Sequence, residues 1–447
     1  MSDAALPLLA TSYEARFPHV FRQPFWQRFG PVTFVAGLVL YLVYAAFFFD
    51  VGNVIRSGHW DRAGLFLSDW VSWNTGVEFR TSSGTVTARY PKFSALGNDP
   101  HPDWVIANAD GTTTIDVAGK GGSVTMSTTD AYVTKDGQTA HARLGGDKPV
   151  IVGVAPSWFT PNDDGDLVAD FGFTGQIIVE SDRVKINKRF LGWPNFFFDT
   201  DSPFFGKSSG DDIALIVSGP DLVEGRPNWQ LAFDNFWNNA EWQHGDIIVK
   251  LLETLVMAFL GTLLGAFVAF PLGFLAARNV TPNRALNWTL KRLFDFLRSV
   301  DMLIWALFFT RAFGPGPLAG SAAIFLTEAG TLGKIYSEGL ENIDDKQREG
   351  ITSTGASEVL VHRYGVVPQV LPIMVSQTLY QWESNTRGAT IIGAVGAGGI
   401  GLKLWEAMRT NANWANVFYM VLLILAVVFI FDSLSNALRS RLIGRQR

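Results

Sequence analysis

The chain of 447 residues contains no cysteine. That excludes disulfide frameworks, thiolate metal centres, iron–sulfur clusters and cysteine-nucleophile chemistry. Charge is also scarce, with 17% of residues Asp, Glu, Lys or Arg against about 25% in an ordinary soluble domain. No G-x-x-x-x-G-K-[ST] string occurs, since Gly330-Thr331-Leu332-Gly333-Lys334 has the wrong spacing, so the chain has no P-loop with which to bind ATP. Gly396, Gly398 and Gly401 do satisfy G-x-G-x-x-G after a strand-like stretch at 391–395. A dinucleotide site needs an acid about 20 positions on, where an apolar run lies instead, and the βαβ context is missing. These glycines are read as ending a helix and letting its exit loop pack closely. Asn162-Asp163-Asp164-Gly165-Asp166 lacks the order and the closing Glu of a calcium loop and reads as a solvated turn.

What the chain has is apolar length. The hydrophobic share is 48% and the mean hydropathy is +0.17, the composition of a membrane protein. Residues 31–49 form an uncharged run of 19, enough at about 1.5 Å per residue to cross a hydrocarbon layer of about 30 Å. With 30 residues ahead of it and no A-x-A-like site behind it, this run is expected to stay as a first span after a segment at 1–30, not to be cleaved. The clearest span is the uncharged run at 254–277, where Gly261, Gly265, Ala269 and Gly273 recur every four residues and make one helix face small enough for close packing. Weaker spans are expected at 294–313, despite Arg298, Asp301 and Arg311, and at 318–340, softened by Glu328, Lys334 and Glu338. Spans at 368–395 and 414–431 bring the total to six and put both termini on one side.

Between the first two spans the character changes. Residues 50–246 hold 15 Lys/Arg against 26 Asp/Glu, leaving 21 against 15 for the rest of the chain. Alternating stretches around Asp110-Gly111 and Asp136-Gly137 predict hairpins, so residues 50–228 are read as a β-rich insert. Trp229, Phe233, Phe236 and Trp237 at helical spacing predict an interfacial amphipathic segment at 229–246, with a core of five spans at 247–440 and a basic tail at 441–447. If the amino terminus is cytoplasmic, the inner segments carry 14 basic residues, among them Arg278, Arg348 and Arg439. The two short outer loops then carry only Arg311, Lys403 and Arg409. The positive-inside bias therefore places both termini in the cytoplasm and the insert outside.

The polar stretch at 341–367 is the informative one. Glu349-Gly350-Ile351, three residues, Gly355, nine residues, then Gly365-Val366-Val367-Pro368 resembles the coupling loop of permease subunits of ATP-binding-cassette importers, whose pattern is E-A-A, three residues, G, nine residues, I-x-L-P. Gly350, Ile351, Gly365 and Val367 depart from those letters, so the match rests on spacing and on the Gly355-Ala356-Ser357 and Leu371-Pro372 context. Physically, two short helices meeting at a glycine make a knob for a soluble partner, and Pro368 starts the next helix. Further strings, Leu297-Arg298-Ser299-Val300-Asp301, Phe313-Gly314-Pro315-Gly316-Pro317 and Thr386-Arg387-Gly388-Ala389-Thr390, are similar to the phosphonate-transporter permease family. The similarity runs from about Trp229 to the carboxyl end and includes the first span, but not the insert.

The resemblance implies a type I importer permease, an α-helical polytopic inner-membrane protein with a β-rich extracytoplasmic insert. It implies a homodimer working with a separate ATPase and a periplasmic substrate-binding protein. Glu349, Ser353, Thr354, Gly355, Ala356, Ser357 and Pro368 then form the ATPase-coupling loop. The chain itself is expected to be no enzyme, with no catalytic residue, metal or cofactor of its own. ATP and Mg²⁺ belong to the partner ATPase, and nucleic acid is not an expected partner. Substrates of the phosphonate, phosphite, phosphate or methionine type remain open. A secondary transporter would need ion-coupling residues and inverted repeats that are not detected, and a sensor receptor would need a cytoplasmic output domain, whereas the longest inner segment is about 30 residues. Glu383 and Arg387, four residues apart within a span, are candidate translocation-path residues. A guanidinium suits passing contact with an oxyanion, and a purely structural pair is the other reading.

Overall fold

The computed structural model describes residues 25–58, 64, 67–82, 85–91, 94–97, 102–118, 121–162, 164–410 and 414–443. The chain divides into two units, Met1–Phe66 and Leu67–Arg447. In the first, the apolar run forms helix α1 (Phe25–Phe48) with Pro31 in its second turn. Its 24 residues are about 36 Å long. Asp50, at φ 49°, turns the chain into α2 (Val51–Ser57).

In the second unit, the alternating segments fold as strands because each has one apolar face. Among the described residues, thirteen strands make two antiparallel sheets. One runs in the spatial order β10 (Phe159–Pro161), β11 (Leu167–Asp170), β12 (Gly175–Val179), β13 (Arg183–Leu191), β2 (Val77–Ser82) and β3 (Thr85–Arg89), with β1 (Ser72–Asn74) beside β13; the other is the meander β4 (Val105–Ala107), β5 (Thr113–Asp116), β6 (Gly122–Met126), β7 (Asp130–Lys135), β8 (Gln138–Arg143) and β9 (Val150–Val152). The longest strand, β13 (Arg183–Leu191), buries Val184 and Ile186 and turns Lys185 and Asn187 outward. One core joins the sheets: Val77 and Phe79 of β2 (Val77–Ser82) and Ile177 of β12 (Gly175–Val179) pack with Ile115 of β5 (Thr113–Asp116), Val124 of β6 (Gly122–Met126) and Val133 of β7 (Asp130–Lys135). The insert is a β-sandwich. Both expected hairpins form: Ala107 pairs with Thr113 around Asp110-Gly111, and Lys135 pairs with Gln138 around Asp136 and Gly137. The latter two have φ 49° and 79°, as a two-residue hairpin turn of the right-handed-twist type requires.

Two short helices follow, α3 (Ser209–Ser218) and α4 (Asn228–Trp237), before the helical bundle. The bundle contains α5 (His244–Ala276), α6 (Arg284–Ser299), α7 (Met302–Phe313) and α8 (Pro317–Glu341), then α9 (Asp345–Thr352), α10 (Glu358–Val361), α11 (Val367–Ile392), α12 (Gly399–Thr410) and α13 (Trp414–Ile443). Helix α8 packs closely on both α5 and α6, with the small face on α5 in the first contact and on α8 in the second. Toward α5, a Cβ on Gly261 would sit 2.6 Å from Ile324 Cβ, one on Gly265 2.7 Å from Glu328 Cβ, and one on Gly273 2.9 Å from Tyr336 Cβ, while Ala269 is fully buried. Toward α6, its own Gly330 and Gly333 admit Leu297 and Phe294. Sandwich and bundle meet at an aromatic junction, where Trp193 and Phe196 pack on Trp242 and Tyr419. His244 bridges the Tyr419 hydroxyl at 3.0 Å and the Phe196 carbonyl at 2.7 Å.

Two expectations are corrected. The span expected at 294–313 is not one helix, because Asp301 caps a new one, its carboxylate accepting from the Leu303 N–H at 2.8 Å, while Val300 is extended. α7 alone, 12 residues or about 18 Å, is short of the bilayer core. The segment expected as interfacial at 229–246 is not one helix: α4 stops at Trp237 and α5 starts at His244, and Trp242 and His244 are fully buried in the junction. Four stretches among the described residues are long and apolar enough to cross a membrane, Phe29–Phe48, His244–Ala276, Glu358–Ala397 and Trp414–Arg441. α8 has the length but carries Glu328, Lys334 and Glu338.

Candidate coupling loop and interhelical charge network

The loop between α8 and α11 is built by short-range capping. Asp344 starts α9 by accepting from the Lys346 N–H at 3.0 Å. The helix runs out at Ser353, whose N–H donates to the Glu349 carbonyl at 2.9 Å, and the Gly355 N–H closes on the Thr352 carbonyl at 3.0 Å. Gly355 then takes φ +80° with no atom near where a Cβ would stand, so the backbone conformation, not crowding, calls for glycine here. The Ser357 carbonyl opens α10 by accepting from the Leu360 and Val361 N–H groups. A π-type turn, His362–Val366, leads into α11 with Pro368 in its first turn. Glu349, Ser353, Thr354, Gly355, Ser357 and Pro368 are exposed and Ala356 is half-buried. The tip also exposes Val359 and Tyr364. Polar, apolar and charged groups thus share one projecting surface.

The base of the loop is held firmly. Gly365 is buried beside Ile351 of α9. The Arg348 guanidinium donates to the Asn279 carbonyl at 3.3 Å, and the Asn279 amide donates to the Leu340 carbonyl at 2.7 Å. Lys291 of α6 holds both Glu341 carboxylate oxygens, at 2.7 and 2.8 Å, and the Arg278 N–H donates to one of them. Burial works to raise the Glu341 carboxyl, but Lys291 and the Arg278 N–H outweigh it and keep it below the usual range. α9 is thereby tied to the turn after α5 and the end of α8, and that end of α8 to the middle of α6.

Glu383 and Arg387 share a face of α11 but are not each other's main partners. Arg387 Nη1 lies 3.9 Å from Glu383 and 3.5 Å from Asp432 of α13. Arg439 of α13 donates to Glu383 at 2.9 Å. Two carboxylates and two guanidiniums thus alternate between α11 and α13. Asp432 and Arg439 are missed by a reading of single spans. Their seven-residue spacing places them on one helix face, but only the fold says which helix that face meets. A second polar group lies inside the bundle, where the Asn385 amide donates to Thr262 Oγ1 at 2.9 Å, tying α11 to α5. Glu328 of α8 is buried beside Asn385, and its Oε2 finds no hydrogen-bond partner among the described residues.

The glycines at 396–401 make a bend. Gly396, Gly398 and Gly399 have φ +98°, +84° and +71°, and the Ile400 N–H donates to Thr254 Oγ1 at 2.8 Å. A Cβ on Gly401 would collide with the Thr390 carbonyl. The stretch at 391–395 is helical, not a strand.

Comparison with known proteins places this arrangement. The family described as binding-protein-dependent transport system inner membrane component matches residues 269–444, which include the loop and the network. The putative phosphite transport system permease protein HtxC of Stutzerimonas stutzeri is 34% identical over 203 residues, covering 45% of this chain and 72% of that one. The putative cryptic phosphonate transport system permease protein PhnE2 of Escherichia coli (strain K12) is 44% identical over 121 residues, 27% of this chain and 98% of that one.

The chain belongs to the phosphonate-type permease family of these inner-membrane components.

The permease also matches the phosphate-import permease protein PhnE of Mycolicibacterium smegmatis, at 35% identity over 44% of this chain and 37% of that one. A solved chain of the MetNI methionine ABC transporter in an inward-facing conformation aligns at 20% identity with a TM-score of 0.39, covering 44% of this chain and 95% of that one. The family match begins at Ala269, so the permease carries its sandwich outside the matched region.

Proposed function

We propose that this permease is the membrane subunit of an ATP-driven importer for phosphonates or related phosphorus oxyanions. The observation that carries the reading is identity of a third or more to permeases named for phosphite, phosphate and phosphonate. An exposed, rigidly based loop with its glycine at φ +80° supports it. In this reading two copies of the permease pair in the membrane and a binding protein delivers the anion from outside. ATP and Mg²⁺ are held by a separate ATPase that grips the loop from Glu349 to Ser357. The ATPase can swing the bundle only because ATP binds its two conformations differently. Both termini lie in the cytoplasm, the sandwich outside, and α4 at the outer membrane surface. Arg387, half exposed beside Asp432, is the candidate for passing contact with the anion.

The test is reconstitution of the permease with its ATPase and binding protein in proteoliposomes. ATP-dependent uptake of labelled methylphosphonate or phosphite, resistant to excess methionine, is expected, and ATP-dependent methionine uptake in their place would overturn the substrate. The topology has its own check. The chain has no native cysteine, so Thr128→Cys and Ser357→Cys can be probed singly in intact cells. A membrane-impermeant thiol reagent is expected to reach the first and miss the second; the opposite pattern would invert the arrangement.

A further inference from the structure

The insert carries an apolar surface that the sandwich does not need. Between residues 213 and 233, six large apolar side chains are exposed: Ile213, Val217, Leu222, Val223, Trp229 and Phe233. Val217 is 78% and Trp229 60% exposed. The whole sandwich, residues 72–191, exposes seven among its described residues, three of them together at Val150, Val152 and Val154 and the other four far apart in the chain. Such a concentration marks a contact surface, whereas scattered residues need no explanation.

Helical geometry puts the exposed pairs on one side. α3 and α4 form a hairpin, since the Asn228 amide at the start of α4 donates to the Leu215 carbonyl in the last turn of α3 and to the Pro220 carbonyl just beyond it, 2.8 and 2.9 Å away. Their inner faces, Leu215 with Ile216 and Leu231 with Ala232, share a small core with Phe204. On α3 the pair Ile213/Val217 lies about 130° around the helix from that inner face, at about 100° per residue. The pair Trp229/Phe233 on α4 has the same offset from its own inner face. In two antiparallel helices facing each other, equal offsets point both pairs to the same side. Asp211 and Asp234 fall at least about 120° away from those pairs. Asp212 is likewise about 120° from the centre of its pair, so the side of the two helices that carries the apolar pairs holds no carboxylate, while the loop between them carries Asp221 and Glu224 beside Leu222 and Val223.

We infer that the α3–α4 hairpin seats the insert on the bilayer surface, with Ile213, Val217, Trp229 and Phe233 entering the lipid. The occupant follows from continuity. Six residues after α4 the chain enters α5, the 33-residue helix read as a span, and Trp237 of α4 packs on Gly245 of α5, so the hairpin is bound to the end of a membrane helix. Trp and Phe at that level are the residues an interface favours. The seat restrains the sandwich against tilting over the mouth of the bundle. The inference rests on α5 being a span and extends the interfacial reading of α4 to α3 and to the loop between them.

Single cysteines at Val217, Phe233, Val154 and Val256, spin-labelled in the full permease in lipid nanodiscs, test it. Val154 is a fully exposed sandwich position and Val256 an exposed position on α5. Collision with oxygen is expected to exceed collision with a water-soluble nickel chelate several-fold at Val217 and Phe233 relative to Val154, at a shallower depth than Val256. If Val256 is in lipid but Val217 and Phe233 match Val154, the hairpin faces water and the inference falls. If both are shielded from oxygen and nickel alike, a protein surface covers the patch, and it falls equally. Water exposure at Val256 would instead remove the membrane reading of α5 on which it rests.

Discussion

Glu383 holds Arg439 at 2.9 Å and Arg387 only at 3.9 Å, and this ordering changes what a charge exchange would report. Exchanging Glu383 and Arg387 would set a guanidinium against Arg439 and a carboxylate against Asp432. The doubly exchanged permease is therefore expected to be less stable than either partner's neutral variant, and thermal unfolding in detergent checks it. Glu383→Gln should cost about 1.5–3 kcal/mol, the worth of a hydrogen bond to a charged group. Arg387→Gln should cost less than about 1 kcal/mol, because Arg387 is half exposed and its contacts are 3.5 Å or longer. Loss of uptake in Arg387→Gln at unchanged stability would place it in the path, and normal uptake would remove it. At the aromatic junction, burial pushes the Glu241 carboxyl up to about 7, against the Asn195 amide that donates to it and with Asp199 adding to the rise. A carboxyl raised in the folded state contributes stability that is full below its unfolded value near 4.5 and is lost as pH rises through about 7. Glu241→Gln should flatten the melting temperature across that window and raise it above pH 7, since a neutral amide still accepts from Asn195.

The seam between α5 and α8 and the bend at Gly355 require glycine for different reasons. At Gly265 the reason is space, with Glu328 Cβ 2.7 Å and the Ala329 nitrogen 3.2 Å from a built Cβ. Even Gly265→Ala should destabilise, and Gly265→Leu should cost about 1–3 kcal/mol or more by forcing the helices apart. Gly339, on α8 with open space around it, is the control, where alanine should be neutral or stabilising. At Gly355 the reason is conformation, so Ala and Trp should share a penalty of about 1–2 kcal/mol for a left-handed residue. Both are expected to lower ATP-dependent uptake and ATPase co-purification while leaving the amount of permease in the membrane unchanged. If Ala behaves as wild type and only Trp fails, bulk against the partner, not backbone geometry, is the cause.

Sandwich and bundle are separable where the chain crosses between them. The Gly192 N–H donates to the Val71 carbonyl at 2.8 Å, so residues 72–191 leave and return at adjacent points and can be replaced by a short Gly-Ser turn. Trp70 stacks on Phe418 at 4.9 Å, and its carbonyl accepts from the Trp193 indole N–H at 3.0 Å. Both contacts survive the deletion. The trimmed permease is expected to enter the membrane and elute as one species, because the sandwich core and the bundle cores share no residue. A deletion reaching to Gly219 would strip Trp193 and Phe196 from the junction and is expected to aggregate. Uptake by the folded trimmed form then decides whether the sandwich serves the binding protein or is a passenger. Local rules suffice for much of this protein. Apolar runs set α1, α5 and α13 because backbone groups in lipid must pair within their own helix. Alternation and Asp-Gly turns set the hairpins, and loop spacing marked Gly355. Asp301 as a helix start is legible in the sequence too, but the apolar residues on either side of it read as one weak span despite Arg298, Asp301 and Arg311. Only the tertiary structure decided that Glu383 belongs to Arg439, that Glu328 lies beside Asn385, and that Trp242 turns inward to Tyr419. Each depends on which helices become neighbours, and that is settled by packing among residues far apart in the chain, for which one sequence carries no local signal.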